Sequence, residues 1–137
     1  MNPRKIRDIV ILSVGMALAC AGVSSAQTAR TARLMREKLA HSQRILTALV
    51  TSDYGLLQRE TQALAAITRS PEWSELMTAD LRPYTSGFTR ALADLSAATE
   101  RRDYDSAGAS YGALTAACLD CHKHVMKSRV AGSRTSP

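Results

Sequence analysis

Five consecutive residues toward the C-terminal end, Cys118-Leu119-Asp120-Cys121-His122, concentrate more chemistry than any other stretch of the chain. Two thiols three positions apart, followed at once by an imidazole, have the spacing for covalent haem attachment. Each thiol adds to one vinyl group of the porphyrin, and the imidazole reaches the iron from one side. On a helix the three side chains fall within about 100° of one face. Two other chemistries use similar residues. A thioredoxin-like dithiol sits at a helix start, where the dipole lowers the thiol pKa; here the cysteines come late in a helical pattern and no strand precedes them. A zinc ion could recruit Cys118, Cys121, His122 and His124. His124, however, lies about 160° around the helix from His122, and one unbroken helix cannot wrap four such ligands tetrahedrally. A chance pentapeptide is the remaining alternative.

The elements that must position the motif are helical. Gly and Pro are sparse, and one Phe and one Trp leave little to build a sheet core. Apolar residues recur at helical spacing over four segments. The first, 28–50, aligns Thr31, Met35, Leu39, Ser42, Leu46 and Leu49. The second, 53–69, aligns Leu57, Thr61, Leu64 and Thr68. The third, 81–100, aligns Leu81, Tyr84, Phe88, Leu92, Leu95 and Thr99. The fourth, 104–126, aligns Tyr104, Ala107, Tyr111, Leu114, Cys118, Cys121, His122 and Val125. Thr51 or Ser52, Asp80 and Asp103 are the expected caps. Ser70-Pro71 ends the second segment, with Pro71 opening a short helical turn through Trp73. Very short links at 51–52 and 101–103 favour antiparallel neighbours, so the expected fold is all-α, an up-down-up-down four-helix bundle over 27–126. The pattern fades over 127–137, which is expected to fray into a flexible tail. The motif face continues through Leu114 and Tyr111 and is expected to point into the core, where a haem would lie.

The N-terminal 26 residues read as an export signal. Arg4, Lys5 and Arg7 form a basic start, Ile9 to Ala21 is uncharged and apolar, and Ser24-Ser25-Ala26 offers small residues for cleavage before Gln27. Lipidation at Cys20 and an uncleaved anchor are the alternatives. The 137-residue chain has a formal charge of +6. Loss of residues 1–26, with their three basic side chains and Asp8, lowers it to +4. The remaining basic residues are scattered and without interleaved aromatics, which argues against nucleic-acid binding. An exported chain that keeps a cysteine pair must use it, because an oxidising compartment does not leave thiols idle.

A C-x-x-C-H motif at the end of the last helix of a four-helix pattern resembles the class II c-type cytochromes, the family of cytochrome c′ and its low-spin relatives. The resemblance covers residues 28–126, and the stretch Leu34 to Gln43 looks like the first helix of a compact bacterial subgroup. It implies one haem c held by Cys118 and Cys121, with His122 as axial ligand. It also implies either an open sixth position or a first-helix Met. Met35 is the candidate sixth ligand. It lies roughly 22 Å from the linked end and His122 roughly 27 Å, both on the expected inner faces. His41, about 120° off that stripe, and Met77, in the connection at the haem end, are weaker. Lys38 flanks the stripe as a candidate propionate contact. Trp73 and Tyr84 are expected to line the core or the haem edge, and His124 to face solvent. The expected function is periplasmic electron transfer to a redox partner protein, with no enzyme activity. The alternative is a five-coordinate cytochrome that binds nitric oxide or carbon monoxide. Bundle cytochromes of this type often dimerise, so a homodimer is a further expectation.

Overall fold

The structure, a computed structural model, describes the backbone of residues 3–134 and the side chains of residues 26–131. Within that span the chain is all-helical, without strands, and consistent with a helical bundle. The helices are α1 (Pro3–Thr51), α2 (Tyr54–Ile67), α3 (Pro71–Glu75), α4 (Arg82–Glu100) and α5 (Tyr104–Arg134). By packing, the chain divides into two units, residues 1–36 and 37–137. The first is the N-terminal part of α1, which passes Ala26-Gln27 without a break. Of its described side chains Leu34 is buried and Thr31 and Met35 are half-buried. The signal-segment and Cys20 readings concern side chains outside the described residues. Among the described residues no helix is long and apolar enough to cross a membrane.

The second unit is organised by two links built alike. Ser52 and Arg102 each adopt φ 55°, the left-handed conformation that ends a helix. In each link the following aspartate closes the turn: Asp53 N–H donates to the Ala48 carbonyl and Asp103 N–H to the Ala98 carbonyl, both at 3.0 Å. The same aspartates then cap the next helix, Asp53 accepting from Leu56 N–H at 2.9 Å and Asp103 from Ser106 N–H at 3.0 Å. The expected cap at Thr51 or Ser52 is therefore displaced to Asp53. The Tyr54 hydroxyl donates to the Arg102 carbonyl at 2.8 Å, and its ring meets Tyr104 edge-on at 5.9 Å. The two links thus share one end of the unit.

From that end the core changes character. Ala48, Ala98 and Ala107 are buried nearest the links. Ile45, Leu57, Leu64, Leu95 and Leu114 follow, all essentially inaccessible. Farther along, Trp73 and Phe88 stack at a tilt, 5.3 Å between centroids. α4 packs along both α2 and α5. The C-terminal part of α1 joins α2 through His41 and Glu60, 2.7 Å apart, and α5 through the Tyr111 hydroxyl, which donates to the Ser42 carbonyl at 3.0 Å.

Three expectations are corrected. Within the second unit the inner stripe of α1 runs Lys38, His41, Ile45 and Ala48, about 100° from the expected one, and shares only the buried Leu49 with it. Leu39 and Leu46, taken as inward, are 58% and 47% exposed. Periodicity favoured the more apolar of two adjacent stripes; packing chose the one whose polar members, Lys38 and His41, find partners on other helices. Asp80 does not cap α4, which starts at Leu81 without a side-chain cap; it pairs with His124 instead. Nor does the chain fray at 127: α5 continues to Arg134, no Gly or Pro interrupting residues 113–131.

Glu60 is the polar joint between α1 and α2. It pairs with His41 and with Arg44, each at 2.7 Å, and its side chain is 14% exposed. Burial alone would push its carboxyl up, but hydrogen bonds and charge from His41 and Arg44 outweigh it and hold the pKa below the usual glutamate value. A carboxyl depressed on folding stabilises the protein above its unfolded pKa, and that contribution is lost as pH falls through the folded pKa. Glu60→Gln should cost on the order of 1–3 kcal/mol at neutral pH. Relative to wild type it should also flatten stability against pH below the ordinary glutamate range, measured by urea unfolding at a series of pH values. At the links, Ser52→Gly should stabilise by about 0.5–1 kcal/mol by relieving left-handed strain, read in the same assay.

Candidate functional site

The motif lies in the middle of α5, and the helix rather than a loop sets its geometry. Leu114, one turn before it, is fully buried; Cys118 and Cys121 are half-buried; His122 is exposed. The motif face therefore rolls out of the core along its length. The expectation that all three side chains point inward holds for the thiols and is corrected for His122, which sits at the rim. The reason is angular: Cys121 continues the line Leu114–Cys118, and His122 is the next residue, about 100° further round.

Both cysteines are free thiols. Burial pushes the Cys118 thiol up; the Lys38 charge opposes this, while Cys121 adds to it. Cys121 is raised by burial in the same way, again against Lys38. A redox-active dithiol needs the reverse, a thiolate favoured at neutral pH near a helix N-terminus. Cys118 lies four turns into α5, so the dipole gives it nothing.

Lys38 faces the thiols from α1. Its Nζ lies 3.8 Å from the Phe88 ring centroid and 4.3 Å from that of Trp73. Among the described residues no carboxylate pairs with it. Burial drives its pKa down, and only the nearby charges of Cys118 and Cys121 push the other way. Counting from the linked end, Lys38, Phe88 and Cys118 all stand about 20 Å along their helices, so the aromatic wall, the amine and the first thiol share one level. Trp73 reaches that wall because Ser70 caps α3, accepting from Trp73 N–H at 3.1 Å, with Pro71 at its first position.

On the adjoining face of α5, Ala117, Asp120, His124 and Lys127 line a groove of about 480 Å³ against Pro83, Tyr84 and Gly87 of α4. His124, expected to face solvent, is half-buried there. Its ring stacks on Tyr84 at 4.7 Å and its Nε2 lies 2.8 Å from Asp80. Nothing in the sequence signalled this cluster, because Asp80 reads equally well as a helix cap. Met35 is half-buried, and Met77 is 37% exposed in the connection between α3 and α4. The azimuth that favoured Met35 over His41 was drawn through Leu39, which is exposed. Among the described residues no group of three or more His, Cys, Asp or Glu converges as a metal-binding cluster.

These residues fit a covalently attached haem: two uncommitted thiols one turn apart, an imidazole next in sequence, and a facing aromatic wall that already holds a charge without a counter-ion. No protein-family model matches the chain, and no curated protein or solved structure is significantly similar to it.

The raised thiols generate a prediction. In protein produced without haem attachment, Cys118 and Cys121 should alkylate slowly at neutral pH and accelerate only in the alkaline range, followed by mass spectrometry. Lys38→Met should move that acceleration to still higher pH, because the opposing charge is gone. Rapid alkylation at neutral pH would instead mark a reactive dithiol.

Proposed function

We propose that this protein is an exported electron carrier of the class II c-type cytochrome kind. In this reading an up-down-up-down four-helix bundle (α1, α2, α4 and α5) holds one haem c through thioethers at Cys118 and Cys121, with His122 on the iron. The observation that carries the reading is the motif in its setting: Cys118 and Cys121 on successive turns of one helix, half-buried, not joined to each other, and under the influence of a Lys38 amine that rests on Trp73 and Phe88. The links at a shared end, with short connections on both sides, support the bundle topology.

When bound, haem supplies a one-electron ferric–ferrous couple. The chain's own residues do the rest. Cys118 and Cys121 would hold the group, each S–H adding across a vinyl double bond in a step that is redox-neutral and releases nothing, and two such bonds would fix its orientation against α5. Trp73 and Phe88 keep water from one side and lower the local dielectric, which affects the potential. His122, at the rim, places an edge of the iron's ligand at the surface, within reach of a partner. Residues 1–26, read as an export signal, would carry the chain to the periplasm, the compartment in which haem is attached to such motifs.

The test is production in a host with haem-attachment machinery. The mature protein should have the mass of the chain plus one haem, retained through acid extraction, and a Soret band. Cys118→Ala with Cys121→Ala should lose the covalent haem. It should also unfold at lower temperature and digest faster, since a ligand held only by the folded state stabilises it. Mature protein with two free thiols and no haem would overturn the proposal.

A further inference from the structure

The placement of Lys38 has a consequence beyond attachment, and it rests on the haem reading above. We propose that the Lys38 side-chain nitrogen is the protein's donor to the face of the haem iron opposite His122, in place of a thioether sulfur.

The argument begins with what a lysine is doing in this place. A long cationic side chain at an inner position usually extends its charge to water or to a carboxylate. Lys38 does neither. Its stem lies on the inner stripe of α1, and its Nζ rests on two aromatic faces, 3.8 Å from Phe88 and 4.3 Å from Trp73. The charged-form interactions that act on it come from the two thiols of the motif.

Level and direction agree. Helical side chains lean toward the helix N-terminus, which for α1 is away from the linked end. The amine therefore reaches about 5 Å past its own Cα level, to about 25 Å from that end. The His122 Cα stands about 27 Å from the same end on α5, and its ring leans back toward that end, which is the N-terminus of α5. The two nitrogens come from facing helices at matching heights.

Haem chemistry separates this role from a propionate contact. The vinyl groups sit on two neighbouring pyrroles and the propionates on the other two, at the opposite edge of the ring. An amine close to both thiols is on the thioether side or over the ring, far from the propionate edge. Attachment also changes the amine's surroundings. Thioethers cannot ionise, so after attachment no sulfur charge can oppose the burial that favours the neutral amine. A neutral amine is a competent iron ligand; an ammonium is not. The proton leaves to solvent as the nitrogen binds.

The experiment compares haem-loaded wild type with Lys38→Arg, Lys38→Met and Met35→Ala. Wild-type ferric protein is expected to be low-spin, with a near-infrared charge-transfer band of the amine–imidazole type, without the far-red sulfur-to-iron band, and slow to bind carbon monoxide when reduced. Lys38→Arg keeps the charge, so it would preserve a propionate contact, but a guanidinium does not ligate iron. It should turn the ferric haem high-spin and open the ferrous haem to carbon monoxide. Lys38→Met should instead gain the far-red sulfur band and raise the potential, which shows that the variant is folded and that position 38 reaches the iron. Met35→Ala should leave the wild-type spectrum unchanged. The inference is overturned if wild type carries a sulfur band that Met35→Ala abolishes, or if wild type and Lys38→Arg have the same spin state. Mass spectrometry of the same samples separates the two levels. Haem-free protein overturns the cytochrome reading itself, whereas haem-loaded protein with an indifferent Lys38 overturns only the ligand.

Discussion

The Tyr54 hydroxyl donates one hydrogen bond to the backbone of the opposite link, at Arg102. Around it, both links turn through a left-handed residue and an aspartate that closes one helix and caps the next. Helices that leave a shared end keep their relative heights for as long as they stay regular. This constraint lets residues from α1, α4 and α5, with no sequence proximity, meet at one level about 20 Å away. A slip of one turn at either link would carry Lys38 or Cys118 past Phe88 by about 5.4 Å and separate the amine from the thiols.

The core is graded along the same axis. Alanines near the links allow close helix approach, and aliphatic residues fill the middle. At the level of the motif the filling is two aromatic rings and an amine. An ammonium on ring faces is attractive, by about 0.5–2 kcal/mol. Desolvating it costs more unless a carboxylate accompanies it, and none does among the described residues. A core built for stability alone would carry Leu or Met at position 38. The cost falls at this one level, beside the only cysteines of the second unit, which is where the proposed site lies.

Much of this was legible in the sequence. The helical segments and both short links follow from apolar spacing and from aspartates placed to cap. Trp73 follows from Ser70-Pro71. The motif residues stand out in the sequence, since few residue sets combine two thiols and an imidazole at that spacing. What failed was the rotation of α1. The stripes through Leu39 and Leu46 and through Lys38 and Ile45 differ by one residue, and hydropathy favours the first. Only tertiary partners decide between them: Glu60 for His41 and the aromatic pair for Lys38. The same limit hid Asp80 and His124, 44 residues apart, because a cap and an ion-pair partner have the same residue types.

Burial gives the two cysteines a consistent character. Raised thiol pKa values leave little thiolate at neutral pH, so Cys118 and Cys121 are poor nucleophiles and poor partners for disulfide exchange. Little thiolate also makes the C-x-x-C pair slow to close on itself, which suits the proposed attachment. The same property would make spontaneous addition to a vinyl group slow, so the proposed attachment would need a catalyst acting on a less buried chain. Under that proposal the enclosure that slows the thiols would afterwards shield the thioethers, and no free thiol would remain to oxidise.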